Sequence, residues 1–191
     1  MTTTAPVPRS TAEARRAAVL SKAITVFART GYHATPVADV AEAAGISTAY
    51  VFRLFDGKLG LFVAALEHCY TRVLWALGDG ADGAAGGGPD EVLDAMGGAY
   101  AALIADRDLL MLQVHALSAA DVPEIGAAVR SGYERVVAFA GERSGASPDA
   151  VQRFIAYGQL CHLIVAAGLG AVPDPWAATL TAGMRHPGRD G

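Results

Sequence analysis

Cysteine is scarce. Cys69 and Cys161 are the only two in 191 residues, and they lie far apart with no C-x-x-C pair. That argues against a disulfide scaffold and a structural zinc site. Charge is also thin, at 18% of residues against 52% hydrophobic, which excludes both a disordered tail and a coiled-coil rod. Long apolar runs are missing. The longest, residues 163–172, has ten residues even counting Gly168 and Gly170, whereas a membrane span needs roughly 18. The opening MTTTAPVPRS has no apolar stretch of the kind a secretory signal requires. Strand-like alternation is nearly absent, and there is no H-E-x-x-H, G-x-S-x-G or P-loop lysine motif. The expectation is a soluble, cytoplasmic, all-α chain that is not an enzyme and needs no cofactor or metal.

The net charge of −4 is unevenly spread. Residues 1–62 hold seven basic side chains (Arg9, Arg15, Arg16, Lys22, Arg29, Arg53, Lys58) and four acidic ones (Glu13, Asp39, Glu42, Asp56), a net of +3. Residues 63–191 hold eight arginines and fifteen acids, a net of −7. A basic segment on an acidic body fits a nucleic-acid-binding module joined to a part with another task; ordinary scatter of charge fits equally well.

Helical periodicity recurs throughout. The first stretch, residues 11–30, carries Val19, Leu20, Ala23, Ile24 and Phe27 on one stripe and stops at Gly31, a natural left-handed C′ residue. Thr35-Pro36 then reads as an N-cap followed by proline at N1, opening a short helix over 37–44. Gly45 ends it, and Ser47 caps another over 48–55. A long helix over 58–77 points Leu61, Phe62, Ala65, Leu66, Cys69, Val73 and Leu77 inward. Residues 78–88 contain six glycines and read as a flexible loop. Further helices are expected over 90–105, 108–119, 123–143, 148–169 and 174–184, giving about nine in all. No internal repeat is visible.

The informative segment is TPVADVAEAAGISTAYVFRLFDGK, residues 35–58. A short helix, a glycine turn and a second short helix make a helix-turn-helix pattern. Its logic is steric: Val37, Val40 and Ala41 face inward, Gly45 supplies a positive φ, Ile46 plugs the space beneath it, and Val51 with Phe55 anchors the second helix. That leaves Thr48, Ala49, Tyr50 and Arg53 towards solvent, where a recognition helix meets base edges. An ordinary helical hairpin would use similar glycine and alanine, so spacing alone leaves both readings open.

Beyond the bare pattern, residues 15–62 closely resemble the DNA-binding domain of the tetracycline-repressor (TetR) family. The matching pieces are Ala23 and Phe27, Gly31-Tyr32, Ala34-Thr35, Val37-Ala38-Asp39-Val40-Ala41, Ala44-Gly45-Ile46-Ser47, Phe52-Arg53, Phe55, Lys58 and Leu61-Phe62. The resemblance covers about a quarter of the chain. It implies a three-helix DNA-binding domain over 11–57 behind a disordered tail over 1–10, and a helical ligand-binding and dimerisation domain over 58–191. It implies that Thr35 and Lys58 contact phosphates, that Ser47 caps the recognition helix, that Thr48, Ala49 and Tyr50 face the major groove, and that Arg53 reaches backbone or bases. Three departures stand out. Phe52 occupies a position where the family commonly has a phosphate-binding tyrosine, Leu54 replaces a polar residue, and Ala49-Tyr50 replaces a common Gly-Thr pair.

Several other signals carry less. Gly78-Asp79-Gly80-Ala81-Asp82-Gly83 satisfies G-x-G-x-x-G as a string, but a dinucleotide site needs a preceding strand. Asp79 and Asp82 lack the alternating ligands of a calcium loop. His115 and His162 read as hydrogen-bonded interior or interface residues, and the two cysteines as small core hydrophobes. An aromatic and sulfur-rich set, Trp75, Met96, Tyr100, Met111, His115, Phe139, Tyr157 and Cys161, fits either plain core or a ligand pocket. The reading that follows from the resemblance is a homodimeric transcriptional regulator, a repressor released from a palindromic double-stranded DNA operator by a small, mostly apolar effector. The twofold contact is expected through about residues 148–184, by way of Phe154, Leu160, Ile164, Trp176 and Leu180. The rival from another class is an all-helical interaction module without DNA function.

Overall fold

The computed structural model describes residues 11–183, and the tail expected over 1–10 lies outside them. The described residues form nine α-helices and a single 3-10 turn, with no strand. These are α1 (Thr11–Ala34), α2 (Val37–Ala43), α3 (Thr48–Leu54), α4 (Gly57–Gly83), α5 (Pro89–Leu103), α6 (Arg107–Ser118), α7 (Pro123–Ser144), α8 (Pro148–Ala166) and α9 (Pro175–Thr181), with the 3-10 turn Leu169–Ala171 between the last two. None of them is long and apolar enough to cross a membrane. Expected and observed helices agree in number and order. Their ends shift by a few residues, and the part of the last helix expected to reach residue 184 runs outside the described residues.

The stripe expected on α1 is buried, and so is the whole inward set of α4. α4 is the central element: it packs against α1 and α3 at one end and against α5, α6 and α7 further along. One apolar cluster therefore runs without a break from Val19 and Phe27 through Phe62 and Leu66 to Val136 and Val151. The rings of Phe27 and Phe62 meet edge to face at 4.9 Å, the arrangement their quadrupoles favour. α1 also packs along α6. Within α1, Gly31 breaks the helical path with φ 74 and ψ −177, so the α1 that continues to Ala34 is two segments meeting at the glycine where the helix was expected to stop.

The glycine-rich stretch corrects the sequence reading. The flexible loop expected over 78–88 is helical as far as Gly83, and only residues 84–88 turn. The reason is the crossing of α4 and α5. A Cβ on Gly80 would lie 2.7 Å from the carbonyl oxygen of Ala95 and 2.9 Å from Cα of Met96, so the absent side chain lets the two backbones touch. Close packing against α5 offsets the helix-propensity deficit of glycine, about 1 kcal/mol relative to alanine. Asp82 adds an ion pair with Arg143 of α7.

This crossing separates two otherwise similar substitutions. Gly80→Ala is expected to destabilise the protein by about 1–3 kcal/mol because the new methyl meets backbone, which cannot give way. Gly83→Ala meets nothing within 4 Å and is expected to be neutral or stabilising by up to about 1 kcal/mol. Urea unfolding of both variants checks this, and equal midpoints would show that the crossing does not need its glycine.

Candidate nucleic-acid interface and ligand cavity

α2 and α3 are joined by residues 44–47. Val40, Ala41 and Val51 are buried where the two helices cross. Gly45 is left-handed at φ 65. The turn is closed by backbone bonds from Gly45 N–H to the Glu42 carbonyl and from Ile46 N–H to the Ala41 carbonyl, each 3.0 Å. Ser47 caps α3, its hydroxyl accepting from the Tyr50 N–H at 3.2 Å. Thr48, Ala49, Tyr50 and Arg53 lie on the outer side of α3, Ala49 and Arg53 exposed and Thr48 and Tyr50 half-buried. The Arg53 guanidinium sits over the Tyr50 ring, 4.5 Å from its centroid. Hydrogen bonds from Arg15 of α1, the larger effect, and from Arg53 lower the pKa of the Tyr50 phenol. Arg15 was not singled out in the sequence, because nothing in the motif says that α1 reaches the recognition helix. Of the three departures from the family pattern, all on α3, Ala49-Tyr50 lies on the outer side, Phe52 is exposed and Leu54 is half-buried against the core.

The resemblance implies phosphate contacts for Thr35 and Lys58, and the two side chains lie in different surroundings. Thr35 is only 1% exposed. Its hydroxyl donates to the Gly31 carbonyl at 2.7 Å and lies 2.6 Å from the Thr30 hydroxyl. It caps the break in α1, so its side chain has no reach left for a phosphate, and Pro36 takes the N-cap position of α2. Lys58 is half-buried, donates from Nζ to the His33 carbonyl at 3.0 Å and rests over the Tyr32 ring. An ammonium has three donors, so two remain for an anion beside the α4 N-terminus. Partial burial lowers the Lys58 pKa.

A cavity of about 490 Å³ opens between α4, α5, α7 and α8, within the usual range for small-molecule sites. Tyr70, Leu93, Tyr133, Val136 and Phe154 form much of its wall. Of the eight pocket candidates, Tyr100, Tyr157 and Cys161 line it. The other five do not. Trp75 is 60% exposed on the opposite side of α4, beside His68, Arg72 and Asp79. Met96 is completely buried in the main core, which Phe139 packs against, and Met111 packs against the small cluster of Ile104, Leu110 and Cys161. His115 lies under the break in α1, its Nδ1 2.9 Å from where a Gly31 Cβ would stand. Helical periodicity marks these five as apolar without saying which neighbour each one meets. The missed lining residues Tyr70, Gln113, Tyr133 and Gln159 carry no local signal either.

The cavity wall is mostly apolar, and the polar groups in its depth are uncharged. Gln159 donates to the Tyr133 hydroxyl at 2.7 Å. Tyr100 Oη lies 2.5 Å from His162 Nε2, with His162 itself just behind the wall. Burial pushes the Tyr70, Tyr100 and Tyr133 phenols upward and the Cys161 thiol likewise, so all four are neutral. Burial pulls His162 down to about 4, and its Nδ1 is buried without a hydrogen-bond partner. The expectation of a bonded interior histidine thus describes His162 at one nitrogen, whereas His115 has a buried Nε2 with none. Among the described residues no group of His, Cys, Asp and Glu side chains could hold a metal ion.

A helix-turn-helix at one end of a long helix and a cavity at its middle define a helix-turn-helix module on a helical body. Residues 19–65 match the bacterial regulatory proteins of the tetR family. Similar solved structures span nearly the whole chain. A TetR-like transcriptional regulator from Rhodococcus sp. RHA1 is 23% identical over 92% of this chain and 94% of its own, with a TM-score of 0.64. A TetR-family regulator from Agrobacterium tumefaciens is 20% identical over 90% and 94%, with a TM-score of 0.65. FadR from Bacillus subtilis, solved with stearoyl-CoA, is 14% identical over 86% and 93%, with a TM-score of 0.68. No curated protein sequence matches the chain. The chain carries the helix-turn-helix domain of the TetR family on the fold of TetR-family transcriptional regulators.

The depressed His162 value links stability to pH. Between about 4 and the ordinary 6.5 the unfolded chain binds a proton that the folded chain does not. The contribution is therefore complete above about pH 6.5 and is lost as pH falls towards 4, at most about 3 kcal/mol. Urea unfolding at pH 7 and pH 4.5 is expected to show a smaller loss for His162→Gln than for wild type. Equal losses would remove His162 as the linked group.

Proposed function

We propose that the protein is a cytoplasmic, homodimeric transcriptional repressor that binds a palindromic operator and is released by a small, mostly apolar effector. Residues 11–57 bind DNA, and residues 58–191 bind the effector and the second copy. The observation that supports this best is the course of α4. Its first turns pack against α1 and α3, and Tyr70, Val73 and Leu77 further along the same unbroken helix wall the cavity. An effector that prefers one position of α4 therefore shifts the recognition helices, and it releases DNA by its differential affinity for the two arrangements. The stearoyl-CoA bound to the Bacillus subtilis neighbour adds support, because that fold accommodates a lipophilic ligand.

In the proposed complex Thr48, Ala49 and Tyr50 meet base edges. Tyr50 is held by Arg15 and Arg53, so little side-chain freedom is lost on docking. Lys58 and the backbone at the start of α2 take phosphates; the Thr35 side chain takes no part. The twofold contact uses α8 and α9, where Tyr157, Leu163 and Trp176 are each more than half exposed. Ile164 and Phe154 are turned into the chain's own core and cavity, so they are not part of that surface.

Two measurements test the DNA and assembly readings. On a palindrome selected from random DNA, Lys58→Ala is expected to weaken binding on every sequence and reduce the salt slope by about 1, whereas Tyr50→Ala changes sequence preference. Wild-type behaviour in both variants would sink the groove assignment. Light scattering is expected to give a dimer at micromolar concentration and a monomer for Leu163→Glu; a monomeric wild type would remove the twofold contact.

A further inference from the structure

We propose that the cavity takes an uncharged ligand bearing a hydrogen-bond-accepting oxygen, such as a ketone, quinone or ester, and that Tyr100 is the residue that reads that oxygen. This rests on the cavity being the effector site.

The charge inventory excludes an acid. Among the described residues, three ionisable side chains of fixed charge line the cavity, Asp90, Asp94 and Arg153, and all three are exposed. Arg153 is held by Asp149 one helical turn away. A carboxylate or phosphate would thus pass two carboxylates and enter a space whose depth holds phenols, amides and a thiol but, among the described residues, no cation. A buried anion without a counter-ion is among the costliest groups to accommodate.

The hydrogen-bond inventory decides what an uncharged ligand must offer. His162 is neutral and carries one N–H. If that proton sat on Nδ1, a buried donor would have no partner; on Nε2 it is donated to Tyr100 and only a bare acceptor is left over, the cheaper defect. Gln113 beside it donates its amide N–H to the Leu109 carbonyl at 3.2 Å. On this tautomer the Tyr100 oxygen accepts from His162 and its own proton is left for the cavity. Tyr133 repeats the pattern, accepting from Gln159. Two O–H donors face a space in which no cation can be paired at depth, so the complement is an acceptor oxygen, and an ammonium would meet the wrong end of both dipoles.

The test uses the full chain and four probes of one size: 2-acetylnaphthalene, 2-ethylnaphthalene, 2-naphthoate and 2-naphthylmethylammonium, titrated by calorimetry near neutral pH. The ketone is expected to bind at least tenfold tighter than either ion. Tyr100→Phe is expected to remove about tenfold of the ketone's affinity and to leave 2-ethylnaphthalene unchanged, with the unliganded melting temperature reporting that the variant folds. Naphthoate or the ammonium binding as tightly as the ketone would overturn the ligand class. Equal losses for ketone and hydrocarbon in Tyr100→Phe would overturn the role of Tyr100. Binding of none of the four would overturn the cavity as an effector site and this inference with it. A ketone that binds as expected yet leaves operator affinity unchanged overturns the release mechanism alone.

Discussion

Burial of one stripe along α4 constrains everything else, because the helix is longer than any single partner that could cover it. Leu61, Phe62, Ala65, Leu66, Cys69, Val73 and Leu77 are all inside, and each large side chain among them gives about 1.5–3 kcal/mol on leaving water. The start of the stripe is covered by α1 and α3, the remainder by α5, α6 and α7. The helix-turn-helix and the helical body thus share one continuous core.

The helix-turn-helix stands on backbone chemistry more than on area. α2 and α3 have seven residues each, too short to persist alone given the cost of helix nucleation. The left-handed Gly45, the Ser47 cap and the buried Val40, Ala41 and Val51 hold them as a pair. The same economy explains Thr35. Where α1 breaks at Gly31 a carbonyl loses its helical partner, and the Thr35 hydroxyl supplies one. A position resembling a phosphate contact is used here to repair the break.

The cavity shows the reverse balance. Its wall carries several tyrosines and two glutamines, and two of the tyrosine hydroxyls are paired, one with His162 and one with Gln159. Those pairings come from different helices: Tyr100 of α5 with His162 of α8, and Tyr133 of α7 with Gln159 of α8. The site is therefore a property of the bundle and of no single segment.

The sequence by itself determined the all-α class, the number and order of the helices, the inward stripes of α1 and α4 and the residues of the helix-turn-helix turn. Periodicity, caps and positive-φ glycines are local, so they are legible before folding. Only tertiary structure decided the rest. The stretch from Gly78 to Gly83 is helical because α5 crosses at Gly80, a contact with no local trace. Tyr70 lines the cavity while Trp75 faces solvent, although both are aromatics on one apolar helix. Five residues turn a helix by roughly 140°, and which of the two faces meets a cavity depends on where the neighbouring helices lie. Arg15 reaches Tyr50 for the same reason: spacing along a chain sets which side chains share a face, and packing alone sets what that face meets.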